Sequence, residues 1–167
     1  MRVLLSYLAL VAVVLIGETA GAQDTSRQLT VLMGVSGTCS ELVLAGESLS
    51  CQGALLHTEY DDGRIGFYFV AEAAEEKIIT FSGRGQDQKS PSKNVRIQPI
   101  DGLVLSDGIV RASGECLFES PYAGPARIWC RAKSAAGVEY RGQFLTDGGE
   151  PKIMDLGGEN DLMTAQR

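Results

Sequence analysis

Gly114-Glu115-Cys116-Leu117-Phe118-Glu119 and Arg127-Ile128-Trp129-Cys130-Arg131-Ala132, separated by a turn at Tyr122-Ala123-Gly124-Pro125, decide how this chain is read. If Cys116 faces Cys130 in an antiparallel hairpin, Phe118 faces Ile128 and Gly114 faces Ala132 on the same side. The other side then pairs Leu117 with Trp129, Glu115 with Arg131 and Glu119 with Arg127. Opposed unlike charges contribute about 0.2–1 kcal/mol each, and a slip of one residue destroys all of these pairs together. Facing Cα atoms in such a ladder lie about 4.5–5.5 Å apart, within reach of a disulfide. The segment is therefore expected as a disulfide-linked hairpin. Its register also weakens a binding reading of Arg127, Trp129, Arg131 and Lys133, because two of those arginines already face glutamates.

A similar pattern occurs earlier in the chain. Ser36-Gly37-Thr38-Cys39 precedes Cys51 as Ser113-Gly114-Glu115-Cys116 precedes Cys130, and a Gly-plus-Phe strand follows each second cysteine (Gly66-Phe67, Gly142-Gln143-Phe144). The chain thus reads as two weakly similar halves, each with a disulfide-linked hairpin, Cys39–Cys51 and Cys116–Cys130. Residues 54–60 and 65–70 form a further hairpin across Asp61-Asp62-Gly63-Arg64, where a type I′ turn would set Asp61 opposite Arg64 and His57 opposite Tyr68. Residues 77–81, 94–97, 103–105 and 109–111 are shorter strands, the last two flanking Asp107-Gly108. Only residues 71–76 favour helix, for about one turn. Many short strands, with twenty glycines in 167 residues, imply an all-β fold, an antiparallel β-sandwich or small β-barrel.

The amino terminus reads as an address. Arg2, an apolar run of about 15 residues and Ala20-Gly21-Ala22 together form a secretory signal, expected to be cleaved after Ala22. The run is shorter than the roughly 20 residues of a membrane span, so no stable membrane insertion is expected. The expected organisation is a signal peptide at 1–22, one β-rich domain at 23–146 and an acidic, flexible tail at 147–167. Export to the periplasm or beyond the cell fits an even set of four cysteines. Their spacings of 11, 64 and 13 residues, with His57 as the only histidine, do not suit zinc. A formal net charge of −6 argues against nucleic-acid partners.

No catalytic constellation emerges. His57 lacks a Gly-x-Ser-x-Gly elbow and reads as a structural imidazole. Ser90-Pro91-Ser92-Lys93 fits Ser-x-x-Lys only formally, and the Asp-Gly pairs at Asp62, Asp101, Asp107 and Asp147 are hairpin turns rather than calcium ligands. No metal or cofactor is expected. Residues 83–93 form one long polar connection carrying Arg84, Lys89 and Lys93 against Asp87, a basic loop on an acidic body. Those three cations are the candidate binding residues, for a protein or a small anionic or saccharide ligand. The function expected is a non-catalytic binding or interaction module. The alternatives are a hydrolase with dispersed carboxylates, such as a glycosidase, and a structural envelope component.

Overall fold

The computed structural model describes residues 27–72 and 77–155. The expected signal segment, residues 73–76 of the helix-favouring stretch, and residues 156–167 of the expected tail lie outside the described residues.

The chain is an antiparallel meander that closes on itself. Strands β1 (Leu29–Leu44), β3 (Cys51–Tyr60), β4 (Arg64–Ala71), β5 (Ile78–Arg84), β7 (Val95–Leu105), β8 (Gly108–Glu119), β9 (Arg127–Ser134) and β10 (Glu139–Thr146) pair in chain order. The circle closes where β10 pairs β1, Gly37 facing Thr146 and Val43 facing Arg141. Eight strands thus form a closed barrel, which removes the free sheet edges that a sandwich would keep. Three short strands lie outside the circle: β2 (Glu47–Ser48) on β1, β6 (Lys89–Ser92) on β7, and β11 (Lys152–Asp155) on the early part of β1. The segment expected as a flexible tail thus includes a paired strand, Val31 facing Asp155 and Gly34 facing Lys152.

The β8–β9 register is the one the charges and cysteines imply. Cys116 faces Cys130, Leu117 faces Trp129 and Phe118 faces Ile128, and both disulfides form. Arg131 meets Glu115 at 2.6 Å and lies over the Trp129 ring. Glu119 departs from the expected charge pair, because its carboxylate accepts the Arg127 backbone N–H at 2.9 Å. The β3–β4 hairpin departs by one residue. Gly63, with φ +75°, closes a three-residue loop with its N–H donating to the Tyr60 carbonyl, so His57 faces Phe67 and not Tyr68. A type I turn followed by a left-handed glycine makes this longer loop. Arg64 consequently finds Asp101 rather than Asp61, through a two-pronged contact at 2.7 and 3.0 Å.

Residues 95–97 and 103–105 of the two expected strands belong to one long strand, β7, which is bulged between Ile100 and Gly102. At this bend Gln98, fully buried, donates its amide to the carbonyls of Arg84 and Pro99. The bond to Arg84 ties β7 to the end of β5 beside the bulge.

The inward faces of the strands fill the lower barrel. Phe69 and Phe81 pack edge to face at 5.8 Å, with Leu42, Ile79, Leu103 and Phe144 around them. The Cys116–Cys130 disulfide lies inside this packing at 0% exposure. Three glycines let neighbouring strands approach where side chains would block them. A Cβ on Gly37 would lie 2.1 Å from the Leu145 carbonyl oxygen, one on Gly83 2.0 Å from that of Pro99, and one on Gly114 2.0 Å from that of Arg131. Such kinks let a sheet of this width curl shut.

Candidate functional site

The packing stops short of one barrel end. There, around the end of β3, the start of β4, the start of β7, the end of β8 and the start of β9, a cavity of about 280 Å³ opens to solvent. Strand alternation sends Leu55, His57 and Glu59 of β3 to the inner face, and Met33 and Val35 of β1 beside them. The floor and walls are largely apolar, completed by Phe67, Phe118 and Ile128. Three rings stand together there. His57 lies 4.9 Å from Phe67 and 6.4 Å from Phe118, and Phe67 lies 5.0 Å from Phe118, centroid to centroid.

Polar groups are few and placed toward the opening. His57 has 14% of its side chain exposed and turns Nε2 to the Glu59 carboxylate at 3.5 Å. Its other nitrogen, Nδ1, is buried and has no hydrogen-bond partner among the described residues. The His57 ring beside Glu59 holds that carboxyl below the usual carboxylate range, first through the side-chain contact and then through its charge, against the opposing effect of burial. Glu119, the second carboxylate at the cavity, already accepts the Arg127 N–H.

Two cations complete the rim, Lys93 from the β6–β7 turn and Arg96 from β7. Arg96 faces Phe118 across the β7–β8 ladder and so shares the inner face with Gln98, Cys116 and Phe118. Neither Arg96 nor Lys93 has a carboxylate within ion-pair distance among the described residues, whereas Arg131, Lys133 and Arg141 on the outer wall all do. Tyr122, well exposed, stands at the rim on the short helical turn Pro121–Ala123.

The three cations expected to act together are therefore divided. Lys93 lines the cavity, while Arg84 ends β5 and Lys89 begins β6, both exposed and both away from the lining. The expected polar connection is itself ordered into the turn Gly85–Asp87 and strand β6, which pairs Lys89 with Ile97 and Ser92 with Val95. Sequence reasoning singled out His57 only as a structural group and missed Arg96, Phe67 and Phe118. A signal for Arg96 existed in its spacing of two from Gln98 and four from Ile100, but Val95, Ile97 and Pro99 are the more apolar set.

The remaining candidates stay separate. Ser90 and Ser92 are exposed on β6, and no cluster of three or more potential metal ligands occurs among the described residues. No helix among them is long and apolar enough to cross a membrane. The chain matches no protein-family model, no curated protein and no solved structure.

Proposed function

We propose that this chain is an exported, non-catalytic binding module that takes a small, partly apolar ligand into the open end of its barrel. The single observation that carries the reading is the end cavity. The lower barrel is packed solid, yet at this end Phe67, Phe118 and His57 border open space. Eight-stranded barrels are just wide enough to be filled by side chains or to hold one small ligand, and this one does the first below and the second above. Ligand sites combine apolar walls with a few polar groups that set orientation, which is the composition found here.

The carboxylates favour binding over hydrolysis. A glycosidase needs one carboxyl held protonated by a raised pKa. Glu59 is displaced in the opposite direction by His57, and Glu119 is occupied with a backbone N–H. Export rests on the amino-terminal apolar run and on two disulfides, which persist in oxidising compartments. We also propose that the Ser-Gly-x-Cys segments are related halves. Gly37 and Gly114 both allow a close strand approach two residues before a bridged cysteine.

The test uses octanoate and octan-1-ol as probes, titrated into isotopically labelled protein below their micellar concentrations. Amide shifts should cluster at Phe67, Phe118 and Ile128 for at least one probe. Met33→Trp, which places a large ring at the cavity wall, should suppress them. If neither probe moves these residues, or if Met33→Trp leaves the shifts unchanged, the cavity is not a binding site.

A further inference from the structure

Resting on that binding reading, we infer that the ligand is a small organic anion, with its apolar body against Phe67 and Phe118 and its anionic head at Arg96 and Lys93. The argument begins with where the arginine stands. An inward-facing position in a barrel ordinarily carries an apolar side chain, because a buried charge is costly unless it is paired. Arg96 occupies such a position, half-buried, in register with Phe118 and two residues from the fully buried Gln98. It has no carboxylate partner among the described residues, although the chain is acidic overall and pairs its outer-wall cations repeatedly.

Neither carboxylate at the cavity pairs directly with this cation. Glu59 is directed at His57, and Glu119 at the backbone N–H of Arg127. Lys93, also without a carboxylate partner among the described residues, adds a second positive charge at the same rim. A guanidinium offers a planar fork of donors that fits a carboxylate, sulfonate or phosphate with two parallel hydrogen bonds. An anion held there would sit at the solvent edge of the cavity, where its desolvation is partial. Its apolar part would point down onto the aromatic floor.

Size narrows the class further. At about 30 Å³ per water-sized group, 280 Å³ accommodates about nine such groups. That suits a medium-chain carboxylate or a single substituted ring. The outer face around Trp129 and Arg131 carries a more open hollow of about 400 Å³, but its cations are already matched by Glu115, Glu139 and Glu41.

The experiment compares three probes with the same eight-carbon body: octanoate, octan-1-ol and octylammonium. Each is titrated into the wild type and into the double variant Arg96→Gln, Lys93→Gln, and the amide shifts at the cavity are followed. Octanoate is expected to bind the wild type about ten-fold or more tighter than octan-1-ol, with octylammonium weakest. The double variant should lose about that factor for octanoate and keep its affinity for octan-1-ol, which also shows that the barrel remains folded. Arg96→Lys should retain part of the preference. Equal binding of octanoate and octan-1-ol, tighter binding of octylammonium, or an unchanged octanoate affinity in the double variant would overturn the anionic assignment and leave the binding site standing. Failure of all three probes in the wild type would overturn the site and the assignment together.

Discussion

Gly114→Ala adds one methyl group to a strand interior and should destabilise the protein severely. The new Cβ would lie 2.0 Å from the Arg131 carbonyl oxygen and 2.6 Å from the Ala132 Cα, both backbone atoms of the neighbouring strand. Real Cβ contacts stay beyond 3.0 Å, so β8 and β9 would have to separate by about 1 Å at this point. They cannot do so freely, because two residues further on the Cys116–Cys130 bridge holds the same strands with their Cα atoms 4.0 Å apart. Overpacking a core costs about 1–3 kcal/mol when side chains can give way, and a clash with tethered backbone belongs at the upper end. A loss of about 3 kcal/mol lowers the melting temperature of a domain this size by roughly 10 °C. The control is Gly102→Ala, where the nearest atom to the added Cβ, the Val110 carbonyl oxygen, is 3.8 Å away. That change should stay within about 1 kcal/mol of the wild type. Thermal and urea unfolding of the oxidised proteins measure both. If Gly114→Ala melts within about 2 °C of Gly102→Ala, the close approach of β8 to β9 is not what this glycine provides.

Three further outcomes follow from particular contacts. Under mild reduction of the native protein, Cys39 and Cys51, both partly exposed, should be alkylated before Cys116 and Cys130, which are at 0% exposure; peptide mapping that finds Cys116 labelled first would refute the interior placement of its bridge. The His57 contact holds the Glu59 carboxyl below its ordinary value of 4.5 in the folded state, so its contribution to stability is present above about pH 4.5 and is lost as the pH falls through the folded value. Comparing urea midpoints at about pH 6 and pH 3, Glu59→Gln should narrow the acid-induced loss seen in the wild type, and an unchanged gap would show that the His57 contact does not act on it. Gln98→Leu strips the Arg84 and Pro99 carbonyls of their amide donor inside the barrel, and should cost about 1–3 kcal/mol by chemical denaturation; a neutral result would mean that the β7 bend needs no side-chain support.

The fold was legible wherever neighbouring strands in sequence are neighbours in space. Cys116, Cys130, Glu115 and Arg131 lie within one hairpin, so a single register had to satisfy them all, and the structure has that register. The β3–β4 hairpin shows the limit of the same reasoning. An Asp-Gly pair is compatible with both a two-residue and a three-residue loop; the shorter one would set His57 against Tyr68, and the longer one that forms sets it against Phe67. Closure itself was not legible. Gly37 facing Thr146 joins strands more than one hundred residues apart, and no local pattern records that β10 returns to β1. Nor did the loss of periodicity after Asp147 signal β11, whose Ile153 and Met154 are exposed and therefore carry no alternation to read.

The candidate site was hidden for a more general reason, which Arg96 illustrates. Between Val95 and Ile100 the apolar residues Val95, Ile97 and Pro99 alternate with Arg96 and Gln98, and alternation would send the apolar set inward. The structure does the opposite. Gln98 is in register with the interior Cys116, and Ile97 with Leu117, which is in turn opposite Trp129 on the outer wall. Strand β6 lies along this part of β7, with Lys89 facing Ile97. A binding cavity requires polar groups on the inner face of a barrel, and each one placed there weakens the pattern from which that face is recognised. A local inversion of hydrophobic alternation within an otherwise regular barrel strand is thus the sequence trace of polar residues turned inward, and in this chain it falls at Gln98, which holds the bend, and at Arg96, which lines the cavity.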